Sequence, residues 1–160
     1  MDALDTTTLR AAGLKGNLSA AAALQQRANI LHLTQKAEAA VLRPKDFGAY
    51  NHELRHALAG RICNLNGDQI TADQYSGNAG TYADLIDPGN DGGNYDLEQL
   101  VNFIDKVATR PSDVTEEDIK TLQKAGVQDP DIVRLSELNS FMAYQIRLIA
   151  GLRLFKEYES

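Results

Sequence analysis

The chain predicts an all-α fold, a bundle of about six or seven helices, and three observations predict it. Apolar residues recur at three- and four-residue spacings along most of its length, the period of one helical face. Alanine and leucine are abundant, whereas aromatic residues make up 6% and tryptophan is absent, a balance that favours helix over strand. No stretch alternates apolar and polar residues over the length of a strand. With 160 residues and 43% hydrophobic content, one ordinary domain with its own core is expected.

Residues 1–16 are polar, threonine-rich and interrupted by glycine; they read as an N-terminal arm or short helix ahead of a single domain over 17–160. Ser19 is the expected cap of a helix to about Val41, with residues 20–24, Ile30, Leu31 and Leu33 on its apolar side. Pro44 stops that element, because proline cannot continue the hydrogen-bond ladder. Asp46 is the expected cap of a second helix to about Asn64, whose apolar set is Phe47, Tyr50, Leu54, Ala57, Leu58, Ile62 and Leu65. Asn66-Gly67 breaks it, and a shorter helix over 71–86 carries Tyr75, Tyr82 and Leu85.

The run 87–94, rich in Gly, Asp and Asn, is the one long loop. Leu97, Leu100, Val101, Ile104 and Val107 mark another helix, ended at Pro111-Ser112. Thr115 caps a helix with Glu116, Glu117 and Asp118 at the positive end of its dipole, and Gly126 is the expected C-cap. Asp129-Pro130 open the longest element, to about Tyr158. Its stripe is Ile132, Leu135, Leu138, Met142, Ile146, Ile149 and Leu152, with Tyr144 expected in the core and the Arg147 stem along apolar surface.

Sixteen Lys and Arg against 22 Asp and Glu leave a net charge of −6. No basic cluster stands out, so neither nucleic acid nor an anionic membrane is an expected partner. No run approaches the ~18 apolar residues of a membrane span. The first residues, with Asp2, Asp5 and Arg10, lack the apolar centre of a signal peptide, so a cytoplasmic location is expected. Cys63 is the only cysteine, which excludes an intrachain disulfide and reads as a small packing residue.

Two segments resemble the AhpD/carboxymuconolactone decarboxylase superfamily, over roughly residues 49–155. One runs Leu100-Val101-Asn102-Phe103-Ile104-Asp105-Lys106-Val107, then Arg110-Pro111, then the D-V-T-x-x-D pattern Asp113-Val114-Thr115-Glu116-Glu117-Asp118. The other is Leu122-Gln123-Lys124-Ala125-Gly126-Val127 leading through Asp131-Ile132-Val133 to Phe141, Tyr144 and Arg147. The family's chemical helix reads R-E-L-x-A-L-R-x-A-x-L-N-G-C-x-x-C, and Arg55, Arg61, Leu65, Asn66 and Gly67 match it. His56 stands where the proton-handling Glu belongs, Asp68 and Thr71 where the two cysteines belong, and Tyr75 where a His belongs.

The resemblance implies an AhpD-like bundle and homo-oligomeric assembly, but not the thiol chemistry. Peroxide reduction there needs a nucleophilic thiolate and a resolving thiol, and neither Asp nor Thr can cycle through a sulfenic acid. The expected function is that of a peroxidase-related protein without redox activity, a structural or partner subunit or a binder of a small ligand. Glu53, Thr71 and Tyr75 would line the remnant pocket. The alternative is cysteine-independent acid–base catalysis on a lactone or related small acid, with His56 and Asp68 as the catalytic pair.

His52-Glu53-Leu54-Arg55-His56 also spells H-E-x-x-H, in which two His at i and i+4 ligate zinc and the Glu activates water. At about 100° per residue, however, His52 and His56 lie opposite the stripe of Phe47, Tyr50, Leu54 and Leu58. No third His follows, and no later Glu sits in a recognisable motif. No cofactor is therefore expected, zinc on His52 and His56 being the alternative. The same band, with Ala59, Gly60 and Cys63, is small and polar; it suits a helix sandwiched between two neighbours, within the subunit or across an oligomer interface.

Overall fold

A computed structural model describes residues 5–16 and 21–158 of the chain, and every regular element among them is helical. The α-helices are α1 (Thr7–Ala11), α2 (Ala21–Gln26), α3 (Ala28–Leu42), α4 (His52–Leu65), α5 (Gln69–Ser76), α6 (Glu98–Thr109), α7 (Glu116–Lys124) and α8 (Asp129–Tyr158). Shorter 3-10 helices span Gly80–Ile86, Gly93–Tyr95 and Pro111–Asp113. The all-α expectation holds, with seven helices of seven residues or more among the described residues. None of the described helices is long and apolar enough to cross a membrane.

α4 is the hub. It touches α3, α5, α6, α8 and the 3-10 helix Gly80–Ile86, and every residue from Leu54 to Cys63 is buried. Small residues make this possible: a Cβ on Gly60 would lie 3.2 Å from Ile86 Cγ1, so the 3-10 helix approaches as close as backbone allows. The small, polar band of α4 is thus covered within the subunit. Of the sandwiched arrangement expected for this band, the within-subunit form is what His56 to Cys63 adopt: His56 is 3% exposed, while His52, at the start of the helix, stays exposed.

α8, 30 residues and so about 45 Å long, runs along three packing centres. Leu135, Leu138 and Met142 join the main core with Leu54, Leu58, Ile62, Leu85, Leu100 and Ile104. Ile132 packs at one end with Phe103, Leu122 and Val127. Ile149 packs at the other with Leu9, Ala11, Ala12, Leu14, Leu24 and Leu31. Of the two readings of the N-terminus, arm or short helix, residues 5–16 take the second and are built into the body through α1, with Leu9 and Leu14 buried in the cluster that includes Ile149 of α8. Each such side chain contributes about 1.5–3 kcal/mol on burial.

Several boundaries and faces differ from expectation. The first long helix is two, α2 and α3, separated at Arg27, a break nothing in the local composition explains; the proposed cap Ser19 lies outside the described residues. On α3 the buried positions are Leu31, Thr34, Glu38 and Leu42, while Ile30 and Leu33 are exposed. α4 starts at His52, capped by the Asn51 side chain, which accepts from Leu54 N–H at 3.0 Å. Asp46 cannot cap it, because Gly48 between them adopts a left-handed φ of 63° and a Cβ there would collide with Asp131 Oδ1. Asp46 instead accepts from Gly48 N–H and pairs with Arg134.

The helix expected over 71–86 stops at Ser76 and resumes as 3-10 after Gly77, Asn78 and Ala79. Tyr144 is also a correction: it is 45% exposed, its hydroxyl bonded to Thr34 Oγ1 at 2.9 Å rather than buried. Other signals hold. Thr115 and Asp118 form a capping box on α7. Its far end is a Schellman motif, with Gly126 N–H donating to the Gln123 carbonyl and Val127 N–H to the Leu122 carbonyl.

Candidate functional site

Glu38 is the centre of a buried polar cluster drawn from several helices, and its helix position explains how it gets there. The stripe Leu31, Thr34, Glu38, Leu42 runs at three- and four-residue spacing, so a carboxylate takes a place on the buried face of α3. It is 3% exposed. Thr7 Oγ1 from α1 donates to Oε1 at 2.9 Å and Gln35 Nε2 donates to the same oxygen at 3.0 Å. Gln145 Nε2 from α8 donates to Oε2 at 2.7 Å, and the Tyr75 hydroxyl from α5 lies 3.4 Å from it.

Both amides are held in that orientation by a second bond. Thr7 N–H donates to Gln35 Oε1 at 2.8 Å, and the Tyr75 hydroxyl makes a short bond to Gln145 Oε1. Four helices therefore converge on one carboxylate. Burial, and then the Glu38 charge, pushes the Tyr75 phenol well above its ordinary pKa, so it acts as a neutral donor.

His56 lies beside this group, its ring 6.4 Å from that of Tyr75. Its Nδ1 sits 2.7 Å from the His52 carbonyl, which as an acceptor requires an N–H there. Nε2 is then the acceptor, facing Arg43 Nη1 at 3.3 Å. Burial is the main reason its pKa is pushed down, with the Arg43 charge acting the same way; the bond to the His52 carbonyl and the Glu38 charge oppose them. His56 is accordingly a neutral imidazole at neutral pH. Glu38, Arg43, His56, Gln74, Tyr75 and Asn78 are among the residues that line a cavity of about 320 Å³, open to solvent on one side.

Asp68 and Thr71 belong to a different contact. Asp68 caps α5, its Oδ1 accepting from Thr71 N–H and its Oδ2 from Thr71 Oγ1 at 2.6 Å. Arg153 from α8 donates to Asp68 Oδ1 at 2.9 Å, to Thr71 Oγ1 and to the Ala11 carbonyl. No hydrogen bond joins His56 to Asp68, so the expected catalytic pair is not assembled; the Asp68 carboxylate is occupied in tying α5 to α8 and α1. Glu53 is also elsewhere, its carboxyl against the backbone of Gly80.

Burial opposes ionisation of Asp68, but the hydrogen bonds from Arg153 and Thr71 outweigh it and hold its carboxyl below the usual range. A depressed folded pKa adds stability that is present above the unfolded value of about 3.8 and lost as pH falls through the lower folded value. Asp68→Asn, which keeps a capping side chain, is expected to lose about 1.5–3 kcal/mol at pH 7 and almost nothing in strong acid, read from urea melts across pH.

The H-E-x-x-H helix does not present a zinc donor set. His52 Nε2 donates to the Pro44 carbonyl at 2.9 Å, and the Nε2 of His56 already accepts from a guanidinium. Among the described residues, no group of three or more His, Cys, Asp or Glu is placed to hold a metal ion. Cys63 is fully buried in the main core, and burial, then the Asp68 charge, pushes its thiol up from the ordinary range. It is expected to resist a colourless-to-yellow disulfide exchange reagent until the protein unfolds; rapid labelling of the native protein would contradict that enclosure.

Sequence reasoning found His56 and Tyr75 but missed Glu38, Arg43, Gln35 and Gln145. The available signal was a polar residue on a core stripe. Glu38 lies four residues from Thr34 and from Leu42, and Gln145 lies three residues after Met142 and four before Ile149. Compared with protein-family models, curated proteins and solved structures, the chain matches none.

Proposed function

We propose that this chain is a non-redox member of the AhpD/carboxymuconolactone decarboxylase type and that it binds a small polar ligand in the cavity beside Glu38. The observation that carries the reading is a 320 Å³ opening walled by a buried carboxylate, a neutral imidazole and a guanidinium. Buried polar groups are expensive to assemble, and four helices contribute to this set, which is more than packing alone requires. The lone buried Cys63 with no second thiol supports the non-redox half of the reading.

The test is nuclear magnetic resonance with a panel of small acids, amines, amino acids, sugars and lactones. Binders are expected to shift the signals of His56 and Tyr75 and to raise the melting temperature, since about 100-fold saturation adds about 2.7 kcal/mol. Gln74→Trp, at an exposed position on the cavity wall, is expected to remove binding without unfolding the chain. A panel without a single binder, or binders whose shifts map away from the cavity, would sink the reading. Turnover of an organic hydroperoxide with a dithiol donor, lost in Cys63→Ser, would overturn its non-redox half.

A further inference from the structure

We infer that the ligand is a small zwitterion, its ammonium group directed to Glu38 and its carboxylate to Arg43; the inference rests on the small-ligand reading above. Glu38 accepts from Thr7, Gln35 and Gln145, all neutral donors. Both its oxygens are acceptors, and the two amides are locked with their NH2 groups toward it, so the pocket is built around a negative charge. Among the described residues no Lys or Arg pairs with it. Arg10 reaches it only through Thr7 Oγ1, at 3.2 Å from that hydroxyl, and is itself paired with Asp5. A buried carboxylate served by neutral dipoles alone keeps a large unmet attraction for a cation.

The opposite holds at the cavity mouth. Arg43 is exposed, and no carboxylate among the described residues pairs with it; its side-chain contact is the neutral His56 Nε2. Because His56 is fixed as an acceptor there, it orients the guanidinium without neutralising it. A planar fork held in this way matches a carboxylate. Asp5 and Arg10, the other charges on the wall, are paired at 2.6 Å, and Lys15 shares the Asp5 carboxylate at 3.0 Å. One deep negative charge and one positive charge at the mouth remain. A simple acid would meet Glu38, and a simple amine would meet Arg43; only a molecule carrying both signs satisfies both.

Size agrees. The cavity of about 320 Å³ is at the small end of ligand pockets and accommodates a molecule of amino-acid dimensions. The experiment is isothermal titration with an ω-amino acid series of increasing chain length, beside alkylamines and carboxylates of matching length. The best zwitterion is expected to bind at least about tenfold more tightly than either half-molecule, one charge-assisted bond being worth about that factor. Glu38→Gln is expected to weaken the zwitterion and the amine by about tenfold or more, and Arg43→Ala to weaken the zwitterion without weakening the amine.

Arg43 is exposed, so its variant tests the inference even if Glu38→Gln fails to fold. Binding of carboxylates or uncharged compounds alone, seated in the cavity, would overturn the zwitterion and leave the ligand-binding reading standing. The same follows if binding is indifferent to both substitutions. Absence of any cavity binder in the wider panel would remove the reading itself.

Discussion

Arg61→Ala is expected to remove about 3–5 kcal/mol of stability, a large fraction of the ~5–15 kcal/mol that holds a domain of this kind together. The side chain is 1% exposed and every donor is used. Nε and Nη2 form a fork on Asp105 at 2.6 and 2.7 Å. Nη1 donates to the carbonyls of Leu85, Asp87 and Asn90, and Nη2 to that of Pro88. One guanidinium thus closes the 85–90 loop onto α4 and α6.

Truncation leaves four carbonyls and a carboxylate without their donor, a desolvation cost that is greatest at the buried Leu85 carbonyl. Arg61→Lys is expected to recover little, since a tetrahedral ammonium with three donors cannot satisfy six acceptors in a plane. Asp105→Asn should cost less, about 1–2 kcal/mol, because Arg61 keeps its carbonyls and the Asp105 side chain is 28% exposed. Urea melts give the energies, and amide exchange should accelerate first in residues 85–92. A loss below about 1 kcal/mol in Arg61→Ala would contradict this account.

Arg55→Met is expected to cost about 3 kcal/mol or more, and to loosen the cavity as well as the core. Arg55 is also 1% exposed, but none of its hydrogen bonds goes to a carboxylate. It donates to the carbonyls of Tyr50, Phe47 and Val41, each at 3.0 Å. These three lie on the end of α3 and on the connection to α4, which also carries Arg43. Methionine fills similar volume, so the loss isolates the orphaned carbonyls from any cavity effect. Exchange should rise over residues 43–51, and ligand affinity should fall along with stability. An Arg55→Met protein of unchanged stability would show that water replaces the guanidinium without cost.

Both arginines were visible in sequence as matches to a family pattern, yet their task was not. A charged residue inside a helix pattern reads as solvent-facing, because nothing local reveals carbonyls five to 29 residues away turning toward it. The same limit explains His52 and His56. Their spacing is that of zinc ligands, and their placement opposite the apolar stripe was arithmetically sound. Neither spacing nor arithmetic says what covers that side: α4 keeps no wet face from Leu54 to Cys63, and the His52 carbonyl and the Arg43 guanidinium take up the His56 ring.

The helices themselves were determined by the sequence alone: apolar spacing placed most of α4, α6, α7 and α8, and Pro44, Thr115, Gly126 and Asp129-Pro130 marked ends that hold to within a residue or two. Those signals act over a turn or two of chain, where backbone sterics and local hydrogen bonds decide. Tertiary structure alone decided which polar residues are buried and what they meet. Asp68 and His56 are separated because Arg153, 85 residues after Asp68, claims the carboxylate. Glu38, Tyr75 and Gln145 are joined because α3, α5 and α8 pack side by side. Long-range pairing of buried charges depends on how helix faces are apportioned among neighbours, and no one-dimensional spacing contains that information.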